Sequence, residues 1–130
     1  MLRDLLTGLF AAVLFCLAAP HAPAAAQGQA TDGYVAGIPD LPLMPGLKTL
    51  PDSGLVFDKP GGRIVEAFAI SESGGSMSEQ SVIAFYDETL PQLGWRRETA
   101  GAYLREGERL EVDTSRDARG ITVHFRLFPQ

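Results

Sequence analysis

Two histidines, one cysteine and a surplus of carboxylates bound the chemistry open to this 130-residue chain, which carries 16 Asp and Glu against 11 Lys and Arg. Transition-metal centres and assisted nucleophiles draw heavily on His and Cys. Cys16 and His21 both fall in the first 26 residues, which read as a removable leader, so His124 is left as the single histidine without a thiol beside it. The expectation is therefore a chain with no metal site and no cofactor. A serine nucleophile needs a base beside it, and no G-x-S-x-G turn occurs in the sequence. A hydrolase working with two carboxylates would hold them about 5 to 9 Å apart across a cleft. Asp87 and Glu88 are a pair in sequence only, because neighbours on a helix diverge by about 100° and do not share a site. The glycines Gly74 and Gly75 before a helix start could cradle an anion, but no phosphate-loop lysine follows and the next basic residue is Arg96.

Two surfaces remain as candidates for binding. The first is a polar row, Glu98, Arg105, Glu111, Asp113, His124 and Arg126, which alternation places on the outward side of strands near the C-terminus. With both signs mixed, such a row is either a solvated face, each cross-strand pair contributing about 0.2 to 1 kcal/mol, or a face for a polar ligand. The second is IPDLPLMPGLK, in which Leu41, Leu43 and Met44 sit among three prolines. Here too two readings compete. The segment covers an open end of the core as an extended strap without ladder bonds, or it offers apolar side chains to a partner on a preformed extended chain.

The element that must position these surfaces is Ser76 to Trp95, SMSEQSVIAFYDETLPQLGW. Ser76 and Glu79 have the spacing of a capping box. Val82, Phe85, Tyr86, Leu90 and Leu93 recur every three or four residues and form one apolar stripe. Pro91 predicts a kink, Gly94 a left-handed stop, and Trp95 an anchor where the helix gives way to strands. Before this helix, LVFD, the turn K-P-G-G and RIVEAFAISES read as a β-hairpin, with Pro60 and Gly61 suited to the centre of a type II turn. On its second strand Ile64, Glu66, Phe68 and Ile70 face one way, and Val65, Ala67 and Ala69 the other. After the helix the period changes to two through WRRET, AYLRE, RLEVDTS and ITVHFRLF, with RDARG as the longest loop. Ile121, Val123, Phe125 and Leu127 are inward, matched by Leu110, Val112, Trp95 and Leu104.

Three segments follow: a signal peptide over 1–26, a Pro/Gly-rich extended arm over 27–53 and one α+β domain over 54–130. Arg3, the apolar run Leu5 to Ala19 and the A-x-A pattern before Gln27 define the leader. The run is about 15 residues, short of the roughly 20 that span a bilayer. The implied location is periplasmic or secreted, the alternative being an inner-membrane anchor if the leader stays uncleaved, since Asp4 offsets Arg3. That anchor would be the only membrane contact. Lipidation at Cys16 is set aside because Phe15 stands where a small residue is required. The net charge of -5 with scattered arginines gives no footprint for nucleic acid.

The leader, DLPLMPGL, FDKPGGRIVEA and above all FYDETLPQLGW together resemble small exported bacterial proteins in which a helix ending in an LPxLGW-like pattern runs into a β-meander. The resemblance spans about Leu41 to Leu127. It implies a fold but no activity, so no catalytic residue is carried over. The expected architecture is one helix packed on an antiparallel sheet, ordered β-hairpin, α, β-meander, as a two-layer sandwich. The expected function is a non-enzymatic exported envelope protein that binds another envelope protein or a small ligand. The alternatives are a small carboxylate-dependent hydrolase and a structural module that self-associates.

Overall fold

The computed structural model describes residues 33–71 and 75–130. The leader, its cleavage region and Gly74 lie outside the described residues. The chain forms β1 (Tyr34–Val35), β2 (Ile38–Pro42), β3 (Leu47–Thr49), β4 (Leu55–Lys59), β5 (Gly62–Ser71), α1 (Glu79–Thr89), a 3₁₀ turn (Leu90–Leu93), β6 (Arg96–Thr99), β7 (Ala102–Arg105), β8 (Glu108–Asp117) and β9 (Gly120–Pro129). One helix with antiparallel strands among the described residues makes the fold α+β. The large sheet runs β3-β5-β9-β8-β7-β6, with β4 also pairing β5; β1 and β2 form a separate two-stranded ribbon.

Alternation in β5 and β9 sets the core. Val65 pairs with Leu127, Ala67 with Phe125 and Ala69 with Val123, and all six are buried. Leu110 and Val112 of β8 extend the same surface through their pairing with Leu127 and Phe125. The small Ala67 and Ala69 leave room there for a second set of side chains, and Val82, Tyr86 and Leu90 fill it. The Tyr86 ring meets Phe125 edge-on at 5.5 Å. Full burial of each such side chain contributes roughly 1.5 to 3 kcal/mol, which outweighs the few tenths that separate most residues in helix propensity.

Several local expectations are corrected. The helix is capped by Ser78 rather than Ser76: its hydroxyl accepts from Ser81 N, and Ser81 Oγ accepts from Ser78 N, so the box closes on a serine and not on Glu79. Pro91 does not kink an α-helix. The α-helix ends at Thr89, and Pro91 stands at the start of the 3₁₀ turn, where a missing N–H costs little. Gly94 ends that turn in the left-handed region, φ 86°. The 3₁₀ rotation carries Leu93 out of the stripe, so this expected core residue is 38% exposed. Phe85 is only partly buried, packed edge-on against Tyr86. In the β4–β5 turn the positive φ belongs to Gly62, at 129°, and not to Gly61. RDARG is not a long loop, because β8 and β9 pair as far as Asp117 and Gly120.

The arm is corrected most. Between residues 33 and 53 it supplies three strands, β3 pairs with β5, and Val35, Ile38, Leu41 and Leu47 join the core. The folded unit therefore starts before residue 54. The prolines still matter: Pro39 and Pro42 lie in β2, whose one strand partner among the described residues is β1, and such an edge strand tolerates a missing donor.

Candidate functional site

The polar row resolves into two places. Register puts Glu66, Arg126 and Glu111 in one line across β5, β9 and β8, and Phe68, His124 and Asp113 in the next. Arg126 donates to Asp113 at 2.7 Å and lies 2.7 Å from Glu111, while Arg109 reaches Glu111 at 3.0 Å and also bonds Glu98. Hydrogen bonding to Asp113 raises the already high pKa of the Arg126 guanidinium. His124 lies flat on Phe68, centroids 4.2 Å apart, with its Nε2 3.5 Å from Glu66 Oε2. These side chains are spent on one another, and exposed pairs of this kind contribute little individually.

Arg105 is not on that face. Tyr103 pairs with the buried Leu110, so Tyr103 and Arg105 point inward and Leu104, expected inward, points outward. Arg105 stacks on Trp95, 4.3 Å from the ring centroid, donates to the Leu93 carbonyl at 3.1 Å and pairs with Asp40 of β2. It thereby ties the ribbon, the 3₁₀ turn and β7 together. Burial pushes the Asp40 carboxyl up, but the hydrogen bond and charge of Arg105 outweigh it and hold Asp40 below the ordinary carboxylate value.

A second buried link joins the ribbon to the helix. Tyr86 donates its hydroxyl to the Pro42 carbonyl at 3.0 Å and accepts from Met44 N at 3.3 Å. Burial pushes the Tyr86 phenol well above its ordinary range. Asp87, the first of the adjacent helix carboxylates Asp87 and Glu88, accepts from Arg97 and from the Tyr103 hydroxyl, both at 2.8 Å. Glu79 and Asp87 line an open groove beside α1 and β8, but both project from one helix and Asp87 is already held by two donors. No cleft between facing carboxylates is formed there. Among the described residues no group of three or more His, Cys, Asp or Glu is placed to share a metal ion, and no helix is long and apolar enough to cross a membrane.

The partner-binding reading of the arm loses its first residue. Leu41 is completely buried, and Leu43 and Met44 are partly buried against the core. The surface that the sequence did not single out is β4. Leu55, Val56 and Phe57 are each 56% exposed, and every residue of β4 is exposed. β4 pairs with β5 on one side, and its other edge carries no strand among the described residues. Leu55 and Phe57 share the outer face with Glu66 and Ile64, and Val56 shares the inner face with Val65. The signal available in sequence was three consecutive apolar residues without alternation, in a short strand between a glycine and a tight turn. Such a run fits an edge strand with no fully covered face.

Compared with known proteins, the chain matches no family model, no curated protein and no solved structure.

Proposed function

We propose that this chain is a non-enzymatic exported protein of the bacterial envelope that works as an interaction module, and that it binds another polypeptide through the free edge of β4. The carrying observation is the contiguous exposure of Leu55, Val56 and Phe57 on a strand that, among the described residues, is paired along one edge only. Apolar side chains beside open backbone donors and acceptors are what an added strand uses: ladder bonds supply affinity and alternate side chains supply specificity. The helix and the β1–β2 ribbon act as the second layer of a two-layer sandwich that covers the inner face and leaves this edge at the rim. The leader sequence and the likeness of FYDETLPQLGW to small exported bacterial proteins support the location. Glu98, Glu111 and Asp113 of the polar row are engaged with Arg109 and Arg126, which favours binding over hydrolysis.

The test is a photoreactive amino acid at position 57 in the full chain, expressed in a bacterial host. A discrete adduct is expected, lost when Val56 is changed to Lys and absent when the probe sits at Glu106, in the turn between β7 and β8. Equal labelling at both positions would refute a site at β4.

A further inference from the structure

We propose that Met44 and Met77 form a reversible oxidation site, at which conversion of the thioethers to sulfoxides by a peroxide loosens the β2–β3 connection from the start of α1. The chain has three methionines and one cysteine, and Met1 and Cys16 lie outside the described residues. All the sulfur of the described residues is therefore in Met44 and Met77. Far apart in sequence, both line one cleft of about 550 Å³ that is open to solvent, together with Gly46, Ser71, Ser76 and Ser81. Each methionine is half-buried, packed against the core on one side and reachable from the cleft on the other.

Hydrogen bonds fix the backbone of both residues, so the side chains must absorb any change. Met44 N donates to the Tyr86 hydroxyl at 3.3 Å, and the Met44 carbonyl accepts from Leu47 N at 3.0 Å. The Met77 carbonyl accepts from Arg116 at 2.5 Å, one residue ahead of the N-cap Ser78. The Met77 methyl rests on Gly46, where a β-carbon would stand 3.0 Å from it. That contact has little room for an added atom. Hydrogen peroxide reacts with the sulfur lone pair: an S–O bond forms as the O–O bond breaks, and the second oxygen leaves as water with both peroxide protons. Sulfur is oxidised and the peroxide reduced. The product is polar where the thioether was apolar, and a sulfoxide oxygen held against the core without a donor is costly. Donors stand on the cleft side, in the hydroxyls of Ser71 and Ser76. The oxidised side chain therefore turns out of the seam between turn and helix, and the reductases that act on each sulfoxide epimer return it.

The test treats the folded full chain with hydrogen peroxide and locates the added oxygen by peptide mapping, beside the double variant Met44→Leu, Met77→Leu, whose changes nearly conserve volume. Both methionines should be oxidised in the folded chain at rates within about tenfold of a free methionine peptide, as accessible thioethers are. Amide exchange at Met44 and Leu47 should then rise by about tenfold or more while β8 and β9 keep their protection. The melting temperature should fall, and the two reductases should restore it. The leucine variant should show neither change. Met77→Gln, polar like the sulfoxide, should exchange faster at Met44 and Leu47 without peroxide; if it does not fold, the contrast between the native chain and the leucine variant still decides. Oxidation no faster than global unfolding, an oxidised chain with unchanged exchange, or an equal fall in melting temperature in the leucine variant each overturns the proposal.

Discussion

Two outer strands of the large sheet, β4 and β6, are exposed along their whole length and chemically opposite. β6 ends in a charged strand whose Arg97 is paired with Asp87 and whose Glu98 is paired with Arg109, while the buried Trp95 precedes it. β4 presents Leu55, Val56 and Phe57, each 56% exposed. An edge strand is a template for another chain unless charge, a bulge or brevity blunts it. β6 has all three, whereas β4 has charge only at Asp58 and Lys59. Exposure alone therefore does not mark a binding edge; the side chains and register that accompany it do.

The contrast can be broken most forcefully at the β6 end. Trp95→Ala should cost about 3 to 5 kcal/mol by urea unfolding, because it empties the packed site where the 3₁₀ turn enters β6; a loss below 1 kcal/mol would show that this end is not anchored. Arg105→Ala removes the guanidinium from the Trp95 ring and its bonds to Leu93 and Asp40, and a cost of about 1 to 3 kcal/mol is expected. Phe85→Ala should fall below the Trp95 value, since Phe85 is only partly buried. Tyr86→Phe leaves the ring packing and deletes the hydroxyl between Pro42 and Met44, for a loss of about 0.5 to 1.5 kcal/mol.

A pH series gives a smaller effect. The Asp40 pKa is depressed in the folded chain, so the unfolded state takes up a proton first as pH falls. The contribution of the Asp40–Arg105 pair is present above the ordinary carboxylate range and disappears as pH falls through that range and past the lower folded value. Solvent limits it to about 0.2 to 1 kcal/mol, because Asp40 is substantially exposed. Asp40→Asn should make the acid limb of a stability profile shallower, and an unchanged limb would remove the pair from the account. At the β4 end Phe57→Thr should alter folding stability by less than about 0.5 kcal/mol, as expected for an exposed strand position. A large loss there would mean that β4 is part of the core and would erase the difference between the edges.

The stripe of α1 was legible because Val82, Tyr86 and Leu90 repeat at helical spacing, and β9 was legible because strict alternation leaves one phase open. β7 was not. Ala102 and Tyr103 are both buried, so a period of two could be started from either, and the choice that put Leu104 inward also misplaced Arg105. A slip of one residue exchanges the two faces of a strand. Of the polar row, Glu111, Asp113, His124 and Arg126 share the outer face because the neighbouring β8 and β9 alternate without interruption, whereas Glu98 lies at the break in the register of β6.

The sequence by itself determined the local features: the stop at Gly94, the hairpin through Pro60, the apolar phase of β9 and the poverty of His and Cys, each of which depends on residues a few positions apart. Tertiary structure alone decided that residues 33 to 53 become strands, that Leu93 turns outward, that Arg105 joins Asp40 across 65 positions, and that β4 is left at the rim. These outcomes depend on which distant strand claims each edge of β5. Periodicity records that a side chain alternates, but carries no information about what will cover it.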